Sequence, residues 1–228
     1  MRRLLCALAL AAVNAAHADP IEADTIAAPG AIASGMIAAA GADGLFELFD
    51  DGQVSLRHVS SGMICRFPSG SSGGRIVLFP GLPRGDDVAC DVADGRETTT
   101  LYATRLPFET SLDDLIASAE TALRQRFPDA RAYSAAAEAA ADGILPPIRT
   151  AQFMVTRSDG ALMYTRVSVA LVNGWAIKQR YTSLAPDDAA ALQGELTSRA
   201  IWRGALGEIV ARPSPDAEQA PGARATAR

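Results

Sequence analysis

The chain has 228 residues, of which 49% are hydrophobic, 21% charged and 6% aromatic, with a formal net charge of −5. These values exclude a collagen-like chain, a coiled coil and a wholly disordered one, and no apolar run reaches the roughly 20 residues a membrane-spanning helix needs. Three Cys and two His are too few for a zinc-finger array.

Residues 1–18 read as a secretory signal peptide. Arg2 and Arg3 form the positive end, residues 4–13 the short apolar stretch, and Ala16-His17-Ala18 the small-x-small cleavage site. Cys6 lies too early in the apolar stretch for a lipoprotein anchor. Cleavage removes Arg2 and Arg3 but none of the 26 acidic residues, so the mature chain is more acidic still. Its overall field does not draw it to nucleic acid or anionic lipid. The expected address is secreted or periplasmic, with no membrane span in the mature chain.

Residues 19–43 are rich in Ala and Gly and are expected to form a linker or a weak helix of poor order. One domain is expected over residues 44–211, and the Pro-containing tail 212–228 is expected to be disordered. Residues 45–49 and 53–59 flank Asp50-Asp51-Gly52, a turn between two short strands, the second of which may run on to Phe67. Residues 75–79, 88–92 and 98–106 are the next strands. The period then becomes helical: Leu112, Leu115, Ile116, Ala119, Leu123 and Phe127 share one face. Ser111 is a natural N-cap, Asp113 and Asp114 suit the first turn, and Pro128 stops the helix. Residues 132–141 are Ala-rich and read as weakly helical. A meander follows over 150–156, 161–172 and 175–183, turning at Ser158-Asp159-Gly160 and at Asn173-Gly174, the strongest short hairpin signal. Pro186, Asp187 and Asp188 open a last helix with an expected apolar stripe of Leu192, Leu196 and Ala200, and Trp202 near its end.

Strands, helix, strands, helix is the order of an α+β domain with a mainly antiparallel sheet packed with helices. The first hairpin, the helix 112–127 ending in Phe-Pro, the meander 152–182 and the closing helix together resemble the PsbP-like α/β/α sandwich. That resemblance spans about 160 residues and rests on element order, without a diagnostic motif. It implies helices on both faces of the sheet and a binding or accessory role, and no shared catalytic site.

Cys65 and Cys90 remain after cleavage, and an even pair in an oxidising compartment is expected to be a disulfide. A metal site would need more Cys or His than His58 supplies, so neither metal nor cofactor is expected. Gly70-Ser71-Ser72-Gly73-Gly74 matches G-x-S-x-G literally, but a strand rather than a helix follows it, and the one mature His lies upstream. No catalytic residue is assigned. Asp86, Asp87, Asp91 and Asp94 lack EF-hand spacing and are expected to be solvated.

Hairpin register carries the most information. A two-residue Asn173-Gly174 turn sets Val172 opposite Trp175, Ser168 opposite Gln179 and Arg166 opposite Tyr181. A three-residue turn at 158–160 sets Arg166 opposite Gln152 and Tyr164 opposite Met154. One face then holds Phe153, Val155, Met163, Val167, Val169 and Leu171 as core. The other holds Gln152, Tyr164, Arg166, Ser168, Gln179 and Tyr181. It is expected to be a solvent face or, with Gln152, Tyr164, Arg166, Gln179 and Tyr181 as ligand-binding residues, a surface for a small ligand or an envelope protein. The function expected is therefore an exported, non-catalytic binding or accessory protein of the cell envelope. The alternatives are a secreted serine hydrolase using the 70–74 loop and a purely structural envelope component.

Overall fold

A computed structural model describes residues 27–68, 73–134 and 145–212. The signal-peptide region, Ser72 with most of its loop, the Ala-rich stretch from residue 135 and the tail from residue 213 lie outside the described residues.

The described chain is α+β, with two antiparallel sheets, three helices and no closed barrel. β1 (Phe46–Leu48), β2 (Val54–His58) and β3 (Ile64–Phe67) form the small sheet. β2 does not run on to Phe67 as expected. The chain turns between them, with the His58 amide donating to the Met63 carbonyl at 2.8 Å and Gly62 at a φ of 75°, which a side-chain-bearing residue rarely adopts.

The large sheet has seven strands in the order β4-β5-β6-β10-β9-β8-β7. They are β4 (Arg75–Leu78), β5 (Asp87–Ala93), β6 (Glu97–Thr104), β7 (Arg131–Ala132), β8 (Ile148–Thr156), β9 (Leu162–Val172) and β10 (Trp175–Leu184). Every register expected for the meander is present: Val172 faces Trp175, Ser168 faces Gln179, Arg166 faces both Tyr181 and Gln152, and Tyr164 faces Met154. Asn173 takes a φ of 52° and Gly174 one of 80°, as the two-residue turn requires.

α2 (Leu112–Arg126) begins at Ser111 in a reciprocal capping box with Asp114. Its apolar stripe, Leu112, Leu115, Ile116, Ala119 and Leu123, packs on Ala151, Phe153, Val155, Val167 and Val169. α3 (Asp188–Ala211) starts from Asp187, whose carboxylate accepts the Ala190 amide at 2.8 Å. It crosses the opposite face over β9 and β10 and reaches β3.

Three expectations are corrected here. α1 (Pro29–Ala39) occupies part of the presumed linker and buries Ala33 and Ile37 against the small sheet and β4; Pro29 preorganises its first turn. The expected α3 stripe faces outward, with Leu192 48% and Leu196 50% exposed and Ala200 exposed. The helix instead buries Ala191, Gly194, Glu195, Ser198, Trp202, Ala205, Leu206 and Ile209, because the strands beneath it present polar side chains and large tyrosines. At Gly194 a Cβ would stand 2.5 Å from Ser183 Oγ and 3.0 Å from Tyr164 Cδ1, so only glycine lets helix and sheet approach this closely. α3 also continues nine residues beyond Trp202.

Cys65 on β3 and Cys90 on β5 are joined in a disulfide with a Cα–Cα distance of 6.0 Å. It ties the small sheet to the large one over a core that contains Leu56, Met63, Val88, Leu101, Trp175, Trp202 and Leu206. No helix among the described residues is long and apolar enough to cross a membrane.

Candidate functional site

The polar face singled out from register lies beneath α3 instead of facing solvent. Tyr164, Arg166 and Gln179 are completely buried and Tyr181 nearly so, while Gln152 is partly exposed. Arg166 Nε donates to Ser168 Oγ at 2.9 Å and its Nη2 to Thr150 Oγ1 at 3.3 Å. Gln179 Nε2 donates to the Ser198 carbonyl at 3.2 Å, and Tyr164 Oη donates to Gln152 Oε1 at 3.2 Å. Buried polar groups must find partners within the protein, and here neighbouring strands supply most of them, while α3 supplies the Ser198 carbonyl to Gln179. These residues come together as expected, but they form a polar seam inside the fold rather than an open surface.

His58 is also interior. Its ring sits 5.0 Å from the Phe46 ring and 5.4 Å from the Trp175 ring, and its Nδ1 shares a 2.9 Å hydrogen bond with Ser61 Oγ. Burial, reinforced by the Arg105 charge, lowers its pKa to about 4, so it is neutral at pH 7. Arg105 itself stacks over Trp175 at 4.6 Å.

The four aspartates expected in a solvated loop are spread among separate partners. Asp86 pairs with Arg105, Asp87 accepts from Thr104, and Asp91 accepts from Thr100 and Arg75. Asp94 accepts the Arg96 and Glu97 amides, which hold its carboxyl below the usual range. Among the described residues no three His, Cys, Asp or Glu gather as a metal-binding group.

A hollow lies elsewhere, between the two sheets and α3, with a volume of about 530 Å³. Its floor is the disulfide together with Ile64 and Leu101, all buried. Its helical wall is Ala200, Ile201, Gly204 and Ala205, where alanine and glycine beside Ile201 leave the space open. Its rim carries Arg66, Asp94, Glu97 and Thr99. A cavity of this size, apolar with a few convergent polar groups, has the character of a small-ligand site.

The rim charges are not equivalent. Arg66 donates to Asp51 at 2.8 Å and bidentately to Glu208 at 2.7 and 2.6 Å, so two carboxylates already neutralise it. The Glu208 contact leads in raising its pKa. Glu97 accepts a short hydrogen bond from the Tyr181 hydroxyl. Among the described residues neither Asp94 nor Glu97 forms an ion pair. Glu97 also lines a second hollow of about 480 Å³ along the N-terminal half of α3, where Tyr181, Ser183 and Arg96 join it. Of the five expected ligand residues, Tyr181 is the one that reaches this hollow.

Glu97, Arg66 and Glu208 carried no signal in the sequence. Their meeting depends on β6 pairing with β10, and on α3 returning across β3, contacts between distant parts of the chain.

No protein family matches the chain, and no curated protein does. Among solved structures it is similar to LpqN of Mycobacterium tuberculosis, described as involved in cell envelope biogenesis. The identity is 10% over 62% of this chain and 85% of that one, with a TM-score of 0.35. A likeness of that degree settles neither fold family nor function.

Proposed function

We propose that this chain is an exported, non-catalytic binding or accessory protein of the cell envelope, holding a small ligand in the cleft between the sheets and α3. The cleft is the observation that carries the reading: about 530 Å³, floored by the Cys65–Cys90 disulfide and Leu101, walled by apolar residues of α3 and rimmed by charge. The signal-peptide pattern of residues 1–18 and a cross-link that oxidising compartments favour support a secreted or periplasmic address. Helices on both faces of an antiparallel sheet agree with the PsbP-like resemblance, which stays part of the proposal. His58, packed between aromatic rings, supports a structural histidine over a general base.

The test is native mass spectrometry of the oxidised protein purified from the exported fraction, beside the Gly204→Trp variant. Gly204 is exposed on the cleft wall and a Cβ there meets nothing within 4 Å, so the position accepts a side chain, and the indole is expected to occupy the cleft. The expected result is a trimmed N-terminus after Ala18 and a co-purifying small molecule that the variant lacks. A reduced, untrimmed cytosolic protein would overturn the address. Equal retention of the adduct by Gly204→Trp would overturn the site.

A further inference from the structure

Resting on that cleft reading, we infer that the ligand is an amphiphilic amine, with its apolar body on the disulfide and Leu101 and its ammonium head beside Glu97 and Asp94. The argument is charge complementarity across a formed cavity. The floor is apolar and buried and the helical wall is apolar, so together they favour a hydrocarbon or aryl body. The lining cation, Arg66, is held by Asp51 and by both oxygens of Glu208. Binding an anion there would require breaking charge-assisted bonds that are already made. Glu97 accepts from a neutral hydroxyl, and Asp94 from the backbone amides of Glu97 and Arg96, with the Arg96 charge acting on it more weakly than those bonds. Both carboxylates therefore keep their negative charge facing the rim. Such a field attracts a cation and repels an anion. Arg96, beside Asp94 in sequence, lines the second hollow rather than this one.

The test is calorimetric titration of the trimmed, oxidised protein with dodecyltrimethylammonium, dodecyl maltoside and dodecyl sulfate. The three share one tail, differ in head charge, and are kept below their micelle concentrations. The ammonium amphiphile is expected to bind one-to-one at least tenfold tighter than the maltoside, with the sulfate weakest. The double variant Glu97→Gln, Asp94→Asn leaves each side chain one amide oxygen to accept its existing bonds and removes both charges. It is expected to bring the ammonium within threefold of the maltoside, with the fold and the disulfide mass retained. Equal or tighter binding of maltoside or sulfate, still blocked by Gly204→Trp, overturns the amine inference and leaves the cleft reading standing. So does a cation preference that survives the double variant. No binding of any tail, or binding indifferent to Gly204→Trp, overturns both.

Discussion

Tyr181 on β10 donates its hydroxyl to the Glu97 carboxylate on β6, linking the interior polar seam to the rim of the cleft. The two residues lie 84 positions apart in sequence. The Tyr181 pKa is raised, first by burial and then by this hydrogen bond to Glu97. Tyr181→Phe is expected to keep the fold, lower stability by about 1–2 kcal/mol and leave Glu97 free to turn toward the cleft. Urea denaturation measures the loss. A variant as stable as the parent would show that the bond contributes nothing.

Arg166 is completely buried, with Ser168 and Thr150 as acceptors. An exposed ligand-binding arginine could be replaced without harm to the fold, but this one cannot. Arg166→Ala leaves hydroxyls short of partners and a void beneath α3, at an expected cost of about 2–5 kcal/mol. Thermal melting decides: an unchanged midpoint would place the guanidinium outside the interior.

His58 makes stability depend on pH. Its folded pKa is about 4, against an unfolded value of 6.5, because burial and the nearby Arg105 disfavour the imidazolium. The unfolded chain therefore binds the extra proton first as pH falls. The contribution is whole above pH 6.5 and is lost as pH drops from 6.5 toward 4, to a total of roughly 2–4 kcal/mol. Asp51 and Asp94, whose pKa values are lowered below 3.8, lose theirs only at more acid pH. The urea midpoint should fall between pH 7 and pH 5 in the parent and stay flat there in His58→Gln.

Reduction of Cys65–Cys90 is expected to add two protons to the intact mass. With a sequence separation of 25, loop-closure entropy puts the lost stability at about 3–4 kcal/mol. The paired substitution Cys65→Ala, Cys90→Ala should reproduce that loss and loosen the cleft floor, lowering amphiphile affinity. Free thiols in protein freshly purified from the exported fraction would contradict the pairing.

Much of the local structure was legible in the residues. Asn173-Gly174 set the hairpin register residue for residue, because a two-residue turn with two positive φ angles admits one alignment of its strands. The α2 stripe was legible because one face of that helix meets an apolar sheet. The α3 stripe was misleading for the converse reason: its apolar Leu192 and Leu196 point outward, and it buries Gly194, Glu195 and Ser198 against a polar strand face. Periodicity reports where apolar residues lie around a helix; it does not report which face a given neighbour can accept.

The sequence by itself determined the α+β class, the span of α2, the meander register, the pairing of two cysteines and the existence of a polar strip along Gln152, Tyr164, Arg166, Gln179 and Tyr181. Turn chemistry, capping and side-chain alternation act over a few residues and are written locally. Only the tertiary structure decided that α3 closes over that strip, that β6 docks on β10, and that the small sheet and α3 leave a hollow rimmed by Glu97 and Asp94. Those outcomes depend on how distant surfaces fit one another, on the close approach of α3 to the sheet that Gly194 allows and on the partners a buried arginine can find. No local pattern encodes that fit.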